Sequence, residues 1–179
     1  QRAIADGANM IIYDIDSPTG DKDSAQQVAT LIAEVDASKV TTVAWVSKEA
    51  TLAGALVALS CDRIFLADHA AIGNIDLKAM RLNQGELMAP ADEVNPDDLQ
   101  RLVTVIKSIA KRRNRSGSLI QAMADSSQPV FQVTHRESGR VAWMNDQELA
   151  SQPEEWTKGP VIPETTGGSL LVLNAKRAH

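Results

Sequence analysis

The sequence predicts an α/β domain on a mostly parallel sheet flanked by helices, and three observations predict it. Short β-branched, apolar runs stand at Asn9–Ile15, Val40–Val46 and Arg63–Ala67. Segments of helical period or small-residue composition separate them. The resulting order, strand–helix–strand–helix–strand, requires crossovers rather than hairpins.

The elements follow in order. Arg2 to Gly7 reads as a helix tail closed by Gly7. Met10-Ile11-Ile12-Tyr13-Asp14-Ile15 is a strand that ends in the turn Asp16-Ser17-Pro18-Thr19-Gly20. Val28, Leu31, Ile32 and Val35 recur at helical spacing after Ser24, which is read as the N-cap. Val40 to Val46 is the second strand, Thr51 to Ser60 a helix of small residues with Thr51 as N-cap, and Arg63 to Ala67 a third strand. Residues 73–95 lack a period and read as a long loop. Asn95-Pro96 then opens an amphipathic helix with the stripe Leu99, Leu102, Val103, Ile106, Ile109 and Ala110. A shorter helix covers Leu119 to Ala124. Val130–His135 and Val141–Met144 flank Glu137-Ser138-Gly139-Arg140 as a small β-hairpin. Gly168 to Leu173 is a late strand, and Ala175 to His179 starts a helix.

Composition narrows the function classes. The 179 residues are 44% hydrophobic and 23% charged, with a net charge of −5. Such a chain buries one core, and its acidity argues against nucleic acid as a partner. The basic run Lys111-Arg112-Arg113-Asn114-Arg115 falls at a helix C-terminus, where it complements the dipole. Cys61 is the one cysteine, so no internal disulfide and no cysteine-based zinc site are expected. Its apolar surroundings predict a buried, inert thiol. His69, His135 and His179 have no metal or triad spacing, and no cofactor is expected. The sequence has no apolar run of ~18 residues and no signal peptide, so this stretch reads as soluble.

Four stretches, in this order, carry a resemblance: Ala8 to Gly20, Val43 to Asp62, Asp68 to Gly73, and Gly167 to Ala178. Together they resemble the ClpP-class serine proteases of the NfeD type, members of the Clp protease/crotonase superfamily. The resemblance implies one ClpP/crotonase-like domain over residues 1–179, lacking its first strand and last helix. It also implies a membrane-associated protein with this domain outside the cytoplasm, a homo-oligomer, a possible membrane partner protein, and a peptide or protein segment as ligand. The apolar Leu82, Leu87, Met88, Phe131 and Trp143 suggest that the loop 73–95 or the hairpin packs on another subunit.

In such proteases a serine at a helix N-terminus attacks the peptide carbonyl, backbone N–H groups hold the oxyanion, and a neutral lysine takes the proton. The family's Ser-Ala-Gly is matched here by Leu52-Ala53-Gly54, and the lysine position falls at about Asp97. Leucine has no atom that can attack a carbonyl. The oxyanion donors that the resemblance implies are the N–H groups of Gly20 and Ala53. Thr19 replaces a glycine of the family's Ser-Pro-Gly-Gly turn, which predicts a reshaped loop. The leading expectation is therefore an inactive member that acts in peptide binding or in membrane-associated assembly. One alternative is a peptidase with a rearranged site, for instance Thr51 with Lys78. The other is a crotonase-like acyl-CoA enzyme, which lacks support from an Ala-Gly-Gly-type loop.

Overall fold

In the computed structural model, which describes residues 2–77, 79 and 95–177, the β-branched runs of the first half join one sheet. The elements in chain order begin α1 (Arg2–Ala5), β1 (Met10–Ser17), α2 (Lys22–Ala33), β2 (Thr41–Thr51), α3 (Ala53–Ser60), β3 (Arg63–Leu66) and β4 (Ala71–Gly73). They continue α4 (Pro96–Arg112), α5 (Gly117–Ala122), β5 (Val130–His135), β6 (Val141–Asn145), α6 (Asp146–Ala150), β7 (Trp156–Val161), a 3₁₀ turn at Pro163–Thr165, and β8 (Val172–Asn174). Two compact units result, Gln1–Val94 with Leu173–His179, and Asn95–Val172.

The first unit carries the strand order β1-β2-β4-β8, with β3 also paired to β2. Both β1 and β3 run parallel to β2, in registers that set Ile12 beside Val43 and Val43 beside Arg63. The far half of β2 pairs in parallel with β4, Thr51 beside Gly73. The predicted three-strand parallel sheet is present. Its second strand is longer than the sequence suggests, because beyond the end of β3 Glu49 to Thr51 gain a new partner in β4.

Helix α3 reads Ala-Gly-Ala-Leu-Val-Ala-Leu-Ser, and every residue but Val57 is buried. A helix apolar on all sides belongs in an interior. Its small side chains let α2 approach closely. That decides which face of α2 turns inward. Ala25, Ala29 and Ile32 are buried, whereas Val28 and Leu31, expected in the core, are exposed. The cap also differs: Asp21 accepts from the Ser24 N–H at 2.6 Å, so Ser24 is three residues inside the helix. At the other end of α3, Asp62 locks the start of β3 to β2. Its carboxylate accepts from both the Thr42 N–H and the Thr42 hydroxyl at 2.7 Å, and its own N–H donates back to that hydroxyl at 2.9 Å.

In the second unit Asn95 caps α4 through a bond from the Asp97 N–H, with Pro96 in the first turn as predicted. The stripe Leu102, Val103, Ile106, Ile109 and Ala110 is buried, with Leu99 half-buried at its start. The expected hairpin is part of a three-stranded antiparallel sheet, order β6-β5-β7. Strand β7 was missed because Thr157-Lys158-Gly159-Pro160 is exposed and lacks alternation, leaving Trp156 as the anchor. Trp156, Val133 and Met144 form the core beneath that sheet, with Phe131 and Leu149 against them. Two side-chain hydroxyls replace missing backbone partners. Ser118 accepts from the Asn145 N–H at 2.9 Å, and Thr165 accepts from the Val130 N–H at 2.9 Å.

Corrections fall at the chain's end. The late strand starts at Val172 rather than Gly168, since Gly167 and Gly168 take positive φ in a turn. Ala175 to Arg177 form a turn, not the start of a helix. Cys61 is fully buried, as expected. Most of the loop 73–95, including Leu82, Leu87 and Met88, lies outside the described residues. Its first residues, 74–76, have no regular secondary structure, as expected, but Ile75 and Leu77 are buried.

Candidate functional site

Strands β1, β2 and β4 are parallel, so their C-terminal ends meet at one edge of the sheet. Open parallel sheets bind ligands at that edge. Three short segments come together there: Ser17 to Gly20 after β1, Thr51 to Ala53 between β2 and α3, and Gly73-Asn74 after β4.

Leu52 is the turning point. It adopts φ 50° and ψ −118° as the N-cap of α3, with no side-chain cap. A γ-branched residue at positive φ is strained by about 1–3 kcal/mol and persists only where its surroundings hold it. Two contacts do so. The Leu52 N–H donates to the Asn74 carbonyl at 3.1 Å, and the side chain is buried at 5% exposure. Asn74 itself sits at φ 47°, a conformation asparagine tolerates. The shape is the sharp strand-to-helix elbow on which hydrolases mount a nucleophile. Here the elbow carries an alkyl side chain.

The donors surround it. Ala53 is the first residue of α3, so its N–H has no acceptor within the helix. Gly20, at φ 145°, packs directly on Ala53; a Cβ on Gly20 would lie 2.3 Å from the Ala53 Cβ. Thr19 is not at positive φ, so the threonine is unstrained and the turn keeps its glycine only where the approach is closest. Gly54 permits a second close approach, since its Cβ would meet the Ser17 carbonyl oxygen at 2.8 Å. The two expected oxyanion residues, Gly20 and Ala53, are thus brought into contact with each other and next to Leu52. A groove of about 390 Å³ opens beside them, lined by Thr19, Asp21, Ala25, Ala53 and Val57 among others.

Thr51 is not the helix N-cap that its position suggested. It ends β2, is buried at 5% exposure, and its hydroxyl lies 3.2 Å from the Pro18 carbonyl and 3.0 Å from Glu49 Oε1. Lys78 lies outside the described residues. Asp97 is in the first turn of α4, exposed, with its N–H on Asn95. Asp14 is exposed and needs no buried partner. Asp16 pairs with Lys48 at 2.8 Å, and that hydrogen bond and charge raise the lysine's pKa. Among the described residues no cluster of His, Cys, Asp or Glu could hold a metal ion. Sequence reasoning missed Asn74 and Glu49. The signal for the first was an asparagine directly after a strand-ending glycine, a left-handed turn cue.

A parallel sheet whose strand ends carry a strained strand-to-helix elbow, with a glycine turn packed on the first helical residue, is an α/β domain similar in fold to the ClpP-like proteases. The chain belongs to the family described as NfeD1b, N-terminal domain, whose sequence profile matches residues 1–152. Two solved structures of the 1510-N membrane-bound stomatin-specific protease are similar in fold. A lysine-to-alanine mutant in complex with a substrate peptide matches with a TM-score of 0.54 at 23% identity, over 68% of this chain and 54% of that one. A serine-to-alanine mutant matches with a TM-score of 0.55 at 20% identity, over 84% of this chain and 64% of that one. This chain therefore spans less than two thirds of either. Comparison with curated proteins gave no significant match. Among the described residues no helix is long and apolar enough to cross a membrane.

Proposed function

We propose that this domain is a non-cleaving member of the NfeD-type proteases, one that binds an extended peptide at the elbow and serves a membrane-associated assembly. The observation that carries the reading is Leu52 at φ 50° between β2 and α3. The elbow shape is kept while the atom that would attack a carbonyl is missing. The N–H of Ala53, beside Gly20, remains suited to a peptide carbonyl or carboxylate. The peptide as ligand and the membrane setting rest on similarity to a protease described as membrane-bound and solved in complex with a substrate peptide.

A rearranged peptidase is the second reading, and the 3.0 Å contact between Thr51 and Glu49 is what favours it. A carboxylate could accept the hydroxyl proton, but burial keeps that hydroxyl from an incoming carbonyl. One experiment separates the two. Incubation with a fluorophosphonate or a peptide chloromethyl ketone should leave the intact mass unchanged, and casein should remain whole. Covalent labelling abolished by Thr51→Val would replace the first reading with the second. Leu52→Ser alone should not create activity, because the family's lysine position falls at about Asp97, an exposed carboxylate in the first turn of α4.

A further inference from the structure

Helix α4 ends in a Schellman reversal. The Asn114 N–H donates to the Lys111 carbonyl at 3.3 Å and the Arg115 N–H to the Ala110 carbonyl at 2.9 Å, with Asn114 at φ 52°. The reversal brings the chain at Arg115 back to the last turn of the helix. Arg115, Lys111 and Lys107, one turn earlier, line a pocket of about 520 Å³. Its other walls include Ser118 on α5, with Asn145 and Glu148 at the start of α6. The charge in it is unbalanced. Neither Lys107 nor Lys111 has an ion-pair partner among the described residues, and Asp125 lies near Lys107 without pairing to it. Like charges at that spacing on a helix repel. Glu148 is the one carboxylate in the lining, so three cations face one anion on a chain of net charge −5.

A helix dipole accounts for cations in a last turn, but not for Asn145. That residue is exposed at only 3%. Its side-chain oxygen accepts from the Glu148 N–H at 2.8 Å and so caps α6. Its NH2 group donates to no described residue. A donor on a buried residue is costly to leave unmade, and this one is not sealed in: the pocket lies beside it. Ser118, equally buried, is already used. Its hydroxyl donates to one Glu148 oxygen and accepts from the Asn145 N–H at 2.9 Å, which fixes the pocket's floor. Two ammonium groups, a guanidinium and an amide NH2 therefore border one space. The group that uses them all is a dianion with several oxygens, a phosphate. The second Glu148 oxygen suits a ligand hydroxyl, and the volume is that of a small-molecule site rather than of a bare ion.

We propose that this pocket binds a phosphate monoester, its phosphate held by Lys107, Lys111, Arg115 and the Asn145 NH2 group and a neighbouring hydroxyl by Glu148. Glycerol 3-phosphate in solution and the headgroup of phosphatidic acid share this chemistry. All the lining residues belong to the unit Asn95–Val172, so the proposal is independent of the peptide-binding reading at the elbow.

The test is titration calorimetry of the full protein with glycerol 3-phosphate, beside flotation with phosphatidylcholine vesicles that carry either phosphatidic acid or phosphatidylserine. Saturable binding of at least one phosphate monoester is expected, with none for glycerol. Lys107→Gln and Lys111→Gln should each weaken it about tenfold. Asn145→Asp keeps the oxygen that caps α6 but puts an anion where the donor stood, and should weaken it at least as much. Both lysines are exposed, so their substitution leaves the fold intact and the test valid even if Asn145→Asp unfolds the protein. Calorimetric binding of glycerol 3-phosphate without flotation assigns the site to soluble esters. Flotation with phosphatidic acid, lost in the lysine variants, assigns it to the lipid headgroup. Failure of both probes overturns the proposal. So does binding that the lysine substitutions leave unchanged, or equal flotation with phosphatidylserine and no calorimetric binding, which would be attraction to any anionic surface.

Discussion

Gly20 and Ala53 touch so closely that a single added methyl would overlap: a Cβ on Gly20 falls 2.3 Å from the Ala53 Cβ. The contact joins the turn after β1 to the first residue of α3 and fixes both beside the elbow. Gly20→Ala should cost about 1–3 kcal/mol in urea unfolding, from overlap and from its φ of 145°. Pairing it with Ala53→Gly removes the overlap but not the backbone strain. The double variant should therefore recover part of the loss and not all of it. Full recovery would mean the φ carries no strain.

Leu52 offers a test of sign. In an ordinary position glycine is less stable than alanine by about 0.5–1 kcal/mol. At φ 50° the order should invert. Both variants lose the buried leucine side chain, at about 2–5 kcal/mol for alanine. Glycine alone gains back the strain, so Leu52→Gly should be the more stable of the two by roughly 1 kcal/mol. Thermal or urea denaturation of the pair decides it.

The bond set between Thr42 and Asp62 should be costly to break from one side. Thr42→Val keeps the shape but leaves the Asp62 N–H and its carboxylate without the hydroxyl. A loss of about 1–3 kcal/mol is expected, the range for a partner left unsatisfied in a partly buried setting. A neutral result in chemical denaturation would show that water replaces the hydroxyl.

Asp125 gives the pH dependence. Burial pushes its carboxyl pKa up, but the Ser127 side chain and N–H, the Gln121 amide and the nearby Lys107 outweigh that and hold it low. A folded pKa below the unfolded value of about 3.9 stabilises the protein above that pH. The contribution fades as pH falls through the folded value. Asp125→Asn should accordingly be less stable than the parent at pH 7 and match it at the acid end of the titration. A gap that stays constant across pH would assign the loss to shape rather than charge.

How much of this was legible beforehand follows from where each signal lives. The strands of the parallel sheet, the Asn95-Pro96 helix start and the burial of Cys61 were readable because composition and period act locally. The Leu-Ala-Gly triplet was equally readable, since a leucine cannot attack a carbonyl in any conformation. Other features depend on partners distant in the chain. Which face of α2 turns inward was decided by the narrow shape of α3, so alanines went in and Val28 and Leu31 stayed out. Thr51 became a strand end because β4 offered it a hydrogen-bonding partner 22 residues on, Gly73. Strand β7 exists because β5 had a free edge and Trp156 a core to fill. The elbow at Leu52 was beyond sequence reading as well. A positive φ at leucine opposes its local preference, and only the Asn74 carbonyl, 22 residues away, together with the buried packing of the assembled sheet, holds it there.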